Sequence, residues 1–188
     1  MSNRLFKHFP MFILIFNFLL ADVFMTEITD PQNSSDVGRY VELYNSGTSA
    51  VDLSTGWAIQ RWTNGSSDPQ SAVSLTGTIA PGGFYIICNN AAKFEATWPD
   101  LTCDQNIGTG GAADSNGDDN IALLFGSNII DLFGVPGEDG SGTAHEFEDG
   151  RAERISSETQ ASNTWNDAVW NIDNDSGGGD GPQYGPDD

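Results

Sequence analysis

The apolar residues of this chain come in short runs, and that spacing constrains the fold more than any other feature. From residue 22 onward the runs are separated by Gly, Asn, Asp and Ser, and no segment keeps a helical period over three turns. Short apolar runs between turn-forming residues are typical of β-strands. We therefore predict strands over residues 23–28, 40–44, 57–62, 72–75, 84–88, 120–125, 129–133 and 168–172.

These strands predict an all-β antiparallel sandwich with Gly- and Asp-rich loops. Their spacing of roughly ten residues is typical of sandwiches, whereas a parallel α/β sheet would need helices between its strands. Gly126, Ser127 and Asn128 separate two apolar runs and predict a hairpin. Residues 40–44 and 57–62 alternate apolar and polar side chains, as half-buried strands do. We expect one short helix, over residues 91–98.

The first 21 residues have the layout of a signal peptide. Arg4 and Lys7 precede an apolar run over residues 11–20, and Ala21 follows it. A helix that spans a bilayer needs roughly 20 apolar residues, so this run is short for a membrane span. We predict a signal peptide over residues 1–21, a domain over residues 22–188, and a protein that is secreted or held at the cell surface. The alternative is a short retained N-terminal anchor.

The charge of the chain limits its partners. The sequence has 7 Lys and Arg against 27 Asp and Glu, a formal net charge of −20. Binding to a phosphate backbone requires clustered basic side chains, and none are clustered here, so we do not expect nucleic acid as a partner. The same argument disfavours anionic membrane surfaces. Divalent cations, basic proteins and neutral glycans stay compatible with this charge.

The two cysteines, Cys88 and Cys103, are predicted to form a disulfide. An oxidising compartment allows thiols to pair, and two thiols allow one connectivity. The bridge would close a loop of about 14 residues, worth roughly 3 kcal/mol in the chain-entropy description. The alternative is a pair of free, buried thiols. We find no Cys or His spacing that would hold zinc.

Two acidic segments are candidates for calcium, which takes six to eight oxygen ligands. The oxygen donors would come from Asp114, Asn116, Asp118 and Asp119 in the first segment, and from Asp173, Asp175 and Asp180 in the second. Asp119 occupies the position at which an EF-hand loop needs Gly. The other interpretation, which we favour, is that the Asn-Gly and Asp-Gly pairs only satisfy turn geometry.

No catalytic residue is predicted. His145 is the one histidine after residue 21, and neither a Gly-x-Ser-x-Gly nor a His-Glu-x-x-His motif occurs, so we expect a surface or loop histidine. Arg151 and Arg154 are expected to pair with acids between residues 146 and 155. The remaining catalytic alternative is a carboxylate-based hydrolase, for which acids are available in Glu138, Asp139, Glu146, Glu148 and Asp149.

Several segments, in order, resemble the lamin-tail domain family, and in particular its secreted bacterial members. The similar segments are residues 23–28, 40–45, 50–54, 75–87, 116–124, 130–134, 146–154 and 170–183. The resemblance covers about residues 22–188 and implies an immunoglobulin-like β-sandwich. Such sequences usually run on past a Pro-Gln segment like that at 182–183, so the resemblance leaves open a truncated C-terminus.

The resemblance implies a binding or structural module without an established catalytic site, and fold alone does not assign an activity. Our leading interpretation is a non-catalytic, secreted or cell-surface module for protein or glycan binding and adhesion. The alternatives are an accessory domain, or part, of an extracellular polymer-degrading enzyme, and a structural component of a surface layer or filament. Tryptophans could provide a sugar-stacking surface, but the strand alternation predicts that most of them lie in the core: Trp57, Trp62, Trp98, Trp165 and Trp170.

Overall fold

The computed structural model describes residues 22–31 and 38–174. Within them the chain is a β-protein with one α-helix, α1 (Ala91–Thr97), and short 3-10 turns. The strands are β1 (Val23–Thr29), β2 (Tyr40–Asn45), β3 (Val51–Asp52), β4 (Trp57–Trp62), β5 (Val73–Ser74), β6 (Thr78–Ile79), β7 (Phe84–Cys88), β8 (Gln105–Asn106), β9 (Asn120–Phe125), β10 (Asn128–Phe133), β11 (Arg151–Arg154) and β12 (Trp170–Asp173). The predicted signal peptide lies outside the described residues.

Two sheets face each other. One has six strands in the order β12-β11-β1-β2-β7-β8, and the other has four in the order β10-β9-β4-β5, while β3 and β6 form a separate two-stranded ribbon. Neighbouring strands are antiparallel except β7 and β8, which are parallel. A parallel pair needs a crossover connection, and α1 lies in the segment between these two strands. The predicted antiparallel sandwich is confirmed, with this one exception.

The predicted strands and the helix are all present, with small shifts at their ends. The β9–β10 hairpin is confirmed: Phe125 pairs with Asn128 across the two-residue turn, in which Gly126 has a φ of 62°. α1 begins where the Asn90 side chain accepts a hydrogen bond from the Lys93 backbone N–H, a helix N-cap. We did not predict β3, β6, β8 or β11. The first three are two residues long, and β11 has the sequence Arg-Ala-Glu-Arg, in which a single apolar residue gives too little signal for strand prediction.

The main core lies between the two sheets. Val23, Met25 and Ile28 of β1 all contribute to it. Inward-facing residues of a regular strand are two positions apart, so the step from 25 to 28 requires an irregularity. The pairing of β1 with β2 shows this irregularity: Met25 pairs with Leu43, but the next paired residue of β1 is Glu27, opposite Glu42. This bulge returns Ile28 to the core face and places Glu27 on the opposite, outer face.

A second, smaller core covers part of the outer face of the six-stranded sheet. Tyr40 of β2 packs edge-on against Phe94 and Trp98, with ring centroids 5.7 and 6.5 Å apart. Cys88 is also fully buried here. The prediction that residues 40–44 and 57–62 form half-buried strands is wrong, since only Tyr44 and Gln60 in them are not buried. In β2, α1 and the loop after it cover Tyr40, at one end of the face that would otherwise meet water.

The predicted disulfide is confirmed. Cys88 and Cys103 are bonded, with their Cα atoms 5.9 Å apart. The bridge ties the end of β7 to the chain just before β8. It thereby holds α1 and its flanking residues against the outer face of the sheet.

A buried ion pair joins the two sheets at the β1 bulge. Asp131 of β10 accepts hydrogen bonds from Arg154 Nη2 at 2.7 Å and from the Met25 backbone N–H at 2.9 Å. Arg154 Nε donates to the Met25 carbonyl at 2.7 Å. Arg154 was expected to pair with a neighbouring acid between residues 146 and 155, and that expectation is wrong. Its partner comes from the opposite sheet, a contact that only the tertiary fold creates.

We predict that replacing both cysteines with alanine lowers the free energy of unfolding by about 3 kcal/mol, because the open loop regains conformational freedom in the unfolded chain. Urea denaturation of the wild type and of the Cys88→Ala/Cys103→Ala variant measures this. The wild type under reducing conditions should behave like the variant, and the reductant should leave the variant unchanged. Equal stability of the oxidised wild type and the variant would contradict the prediction.

We also predict that Asp131→Asn lowers the free energy of unfolding by about 3–5 kcal/mol, because it leaves the Arg154 guanidinium buried without its counter-charge. The matched control is Glu153→Gln. Glu153 pairs with Arg151 at 3.2 Å and its side chain is 34% exposed, so its loss should cost less than about 1 kcal/mol. Similar losses in the two variants would show that the buried pair does not join the sheets as described.

Candidate functional site

A row of aromatic side chains crosses the outer face of the six-stranded sheet. Phe24, Tyr44 and Phe84 are directly opposite one another on β1, β2 and β7. The Phe24 and Tyr44 rings meet edge-on at 5.8 Å, and the Tyr44 and Phe84 rings are tilted by 40° at 4.8 Å. Phe84 is 39% exposed. The uncovered end of this face therefore presents an apolar surface.

A row of glutamates runs beside the aromatic row. Glu42 of β2, Glu27 of β1 and Glu153 of β11 are paired directly across the three strands. Like charges directly opposite each other destabilise a sheet. The β1 bulge produces this row, since it brings Glu27 rather than Thr26 opposite Glu42.

Neighbouring donors hold the glutamate row. Arg151 bridges Glu27 and Glu153, with N–O distances of 2.6 and 3.2 Å. The Tyr40 hydroxyl donates to Glu27 Oε2 at 2.7 Å, and the Thr26 hydroxyl donates to Glu42. Burial, followed by the Glu27 charge, raises the pKa of Tyr40 well above its ordinary value. Tyr40 therefore stays protonated and remains a donor to Glu27.

The two rows form the floor of a groove of about 340 Å³, within the size range of ligand pockets. One side is formed by Gly82 and Phe84, and the other by the turn after β11, which includes Ile155, Glu158 and Thr159. The Ser46 hydroxyl donates to the Thr159 carbonyl at 3.2 Å and so ties that turn to the strand ends opposite. Glu27 and Glu42 are 1% exposed at the floor, so the accessible surface combines the Phe84 ring with the carboxylates of Glu153 and Glu158. This combination suits a ligand with an apolar body and a positive charge.

Arg154 supports the groove from within. Its guanidinium lies 5.3 Å from the centre of the Phe24 ring and 4.6 Å from that of Trp170. Because Asp131 and the Met25 carbonyl fix this guanidinium, they also fix the Phe24 ring at the floor. The ion pair that joins the sheets thus positions part of the candidate site.

The first predicted calcium segment is held by protein contacts. Asp114 Oδ1 accepts from Asn89 at 2.7 Å, and Asp119 Oδ2 pairs with Arg61 at 3.0 Å. Gly117 has a φ of 97°, and a Cβ there would lie 2.3 Å from the Glu148 backbone, so the turn requires glycine. These contacts support the turn interpretation.

Asn116 is exposed, while Asp118 accepts a hydrogen bond from the Asn64 side chain. Burial and the neighbouring charges of Asp119 and Asp139 raise the pKa of Asp118. Among the residues that the structure describes, no group of three or more His, Cys, Asp or Glu side chains is arranged to hold a metal ion. Calcium binding stays a prediction.

The second predicted calcium segment is only partly described. Asp173 ends β12 and pairs in register with Arg151. Asp175 and Asp180 lie outside the described residues. Calcium binding by this segment stays a prediction.

His145 lies in a turn, as predicted, but it is not at the surface. It is 1% exposed, because the loop between β10 and β11 folds back against the Phe133 and Trp165 rings, 6.2 and 5.7 Å away. Nδ1 is 2.9 Å from the Thr143 hydroxyl oxygen, and that hydroxyl donates to the Gly140 carbonyl at 2.7 Å. Nδ1 therefore carries the proton in its bond to Thr143.

The other imidazole nitrogen of His145, Nε2, is buried and has no hydrogen-bond partner among the described residues. Protonation there would bury an unpaired charge. Accordingly, burial lowers the pKa of His145, opposed by the Glu138 and Asp139 charges. This histidine is a structural residue of the loop and is not accessible to a substrate.

The acids named for a carboxylate-based hydrolase are distributed over the same loop. Glu138, Asp139 and Glu148 are exposed, and the Glu146 carboxylate accepts from the Gly142 backbone N–H at 2.8 Å. Asp149 has a φ of 55° in a turn. They do not line the groove described above.

Sequence reasoning missed the groove as a site. Glu42 and Tyr44 alternate with apolar residues in segment 40–44, and that alternation was visible, whereas the β1 bulge that brings Phe24 and Glu27 to the same face was not. The register that aligns the aromatic and acidic residues across three strands was not visible in the sequence.

The tryptophan prediction is confirmed, since no tryptophan within residues 38–174 is exposed.

We predict that the free energy of unfolding falls as the pH drops below about 6.5, because folding lowers the His145 pKa. The proton that His145 takes up on unfolding contributes a slope of up to about 1.4 kcal/mol per pH unit. The variant His145→Asn keeps a donor towards Thr143 but does not titrate, so it should lack this component. Burial raises the pKa of Asp30 to about 6. The contribution of Asp30 to the free energy of unfolding therefore falls as the pH rises. Both proteins share that effect, and it cancels in their difference. Parallel pH profiles from urea denaturation would contradict the prediction.

Within residues 22–31 and 38–174 the structure has no helix long and apolar enough to cross a membrane.

No curated protein matches this sequence. The family model described as Lamin Tail Domain matches residues 20–137, a range that includes the first ten strands but neither β11 nor β12. This match is shorter than the resemblance over residues 22–188, and it does not test the likeness to secreted bacterial members. It spans more than half of the chain and agrees with the immunoglobulin-like sandwich, and the chain therefore belongs to the lamin tail domain family.

Proposed function

We propose that this domain is a non-catalytic module, secreted or held at the cell surface, that binds a partner protein or glycan through the outer-face groove. One observation carries the proposal: three glutamates are aligned across neighbouring strands beside an aromatic row. An arrangement that is unfavourable for the sheet but presents ligand-binding chemistry is typical of functional sites.

The contacts in the groove support binding rather than catalysis. Glu27 is bound by Arg151 and Tyr40, and Glu42 by Thr26. Carboxylates used as stationary acceptors in this way suit recognition. A glycosidase would need two carboxyl groups on either side of a scissile bond, with one of them held protonated.

The disulfide supports the proposed extracellular location. Disulfides form and persist mainly in oxidising compartments and are rare in the cytosol. The apolar segment at residues 11–20, preceded by Arg4 and Lys7, supports export through a signal peptide. Adhesion to a surface or to a neighbouring molecule is the activity that we propose for a module in this location.

The test is a glycan and protein binding array with the wild type and two single-residue variants. Phe84→Ala removes the most exposed aromatic of the groove. Phe125→Ala is the matched control, since Phe125 is 43% exposed on the other sheet. We expect Phe84→Ala to weaken any specific binding at least ten-fold, because aromatic side chains dominate such contacts, and Phe125→Ala to leave it unchanged.

The array is run in calcium, in magnesium at equal concentration, and with a chelator. Binding that calcium strengthens clearly more than magnesium would support a role for calcium at Asp114 to Asp119 or near Asp173. Equal effects of the two ions would leave only the turn interpretation. Binding that survives Phe84→Ala but is lost with Phe125→Ala would assign the site to the other sheet, and hydrolysis of an arrayed glycan would overturn the non-catalytic assignment.

A further inference from the structure

We propose that the groove binds a basic side chain, a lysine or arginine presented by an extended segment of a partner protein. This proposal rests on the proposed function and deepens it by assigning the ligand class. The positive head would lie against Glu153 and Glu158, the accessible acids of the groove, and the aliphatic stem along Tyr44 and Phe84.

Charge complementarity is the first argument. Among the residues that the structure describes, the groove is lined by four carboxylates, those of Glu27, Glu42, Glu153 and Glu158, and by one basic residue, Arg154. The Arg154 guanidinium is bound to Asp131 and the Met25 carbonyl. Arg151 supplies one further positive charge and already bridges two of the glutamates. Glu27 and Glu42 are 1% exposed, so the carboxylates that a ligand can reach are those of Glu153, whose side chain is 34% exposed, and of the partly exposed Glu158. These two acids give the accessible part of the groove a negative charge that a cation would offset.

The combination of rings and carboxylates is the second argument. Long basic side chains bury an apolar stem while their charged head keeps polar partners. Cations are attracted to aromatic faces and form strong, charge-assisted hydrogen bonds to carboxylates. The aromatic row and the glutamate row run side by side on adjacent positions of the same strands. The accessible members of this surface, Tyr44 and Phe84 on one side and Glu153 and Glu158 on the other, line the same groove.

The chain itself uses these surfaces to bind arginine. Arg151 binds Glu27 and Glu153 from the β11 side. Arg154 lies against the Phe24 ring. Both components of the site thus already hold guanidinium groups within this fold. Glu153 in the glutamate row and Phe84 in the aromatic row, with side-chain or residue exposures of 34% and 39%, offer the same chemistry to an external group.

The ring geometry disfavours a glycan. Sugars stack on flat, exposed ring faces, whereas the groove rings are inclined to one another by 71° and 40°. Phe24 is almost fully buried, and only Phe84 presents a large exposed surface. Within residues 22–31 and 38–174, no tryptophan lines the groove. Among extracellular partners, the observations therefore favour a basic segment of a protein.

The experiment measures binding of a defined peptide to the full chain by NMR. The probe is Gly-Ser-Gly-Arg-Gly-Ser-Gly with blocked ends, and the matched peptide carries Gln in place of Arg. A lysine version tests the second basic side chain. We expect chemical shift changes around Tyr44, Phe84 and Glu153 with the basic peptides and none with the Gln peptide.

The variants separate the groove from the general negative charge of the chain. Glu153→Gln and Glu158→Gln each remove one charge from the groove and should together weaken binding of the Arg peptide at least ten-fold. Glu95→Gln removes the same charge from the exposed surface of α1. It should change the dissociation constant less than two-fold. The folded spectrum of each variant is recorded first.

The outcomes distinguish this inference from the function on which it rests. Equal binding of the Arg and Gln peptides, or equal weakening by Glu95→Gln and the groove variants, would overturn the inference. So would a glycan that shifts the groove signals when the basic peptides do not, although a binding function of the groove would then stand. If neither peptides nor arrayed partners perturb the groove, both proposals fail.

Discussion

The sandwich depends on the contact of Asp131 and Arg154 with the β1 bulge. Asp131 belongs to the four-stranded sheet, Arg154 belongs to the six-stranded sheet, and both bind the Met25 backbone. A carboxylate and a guanidinium can be buried only when each is paired and its hydrogen-bonding groups are satisfied. The bulge provides the backbone partners, and the ion pair in turn holds the bulge. The two sheets are therefore joined by a polar contact at the same place where the strand departs from regular geometry.

The same bulge decides what the outer face displays. By adding one residue to β1, it returns Ile28 to the core and aligns Glu27 between Glu42 and Glu153. A regular strand would separate these charges, so the sheet carries an unfavourable row as a consequence of closing its core. Arg151 and the Tyr40 hydroxyl offset part of that repulsion. The remaining negative charge, beside an aromatic row, is the property on which both functional proposals rest.

The outer face is divided into a covered end and an open end. At the covered end, α1 and the disulfide loop bury Tyr40 and Cys88. At the open end, Phe84 stays exposed, and the turn after β11 forms the opposite wall of the groove. The disulfide anchors the cover, so it helps to limit the accessible surface to the groove. The accessibility of the groove is in this way tied to the elements that stabilise the domain.

The sequence by itself determined the strand pattern, the hairpin at Gly126, the short helix and the pairing of Cys88 with Cys103. These features depend on local residue chemistry: apolar periodicity, turn geometry, a helix cap, and a single possible thiol pairing. Only the tertiary structure decided that Arg154 pairs with Asp131, that His145 is buried, and that three glutamates share one row. Each of these depends on contacts between residues distant in the chain, and a one-residue bulge changes which side chains face each other. Strand alternation predicts that a residue faces outward, but the register across neighbouring strands determines which residues it meets there.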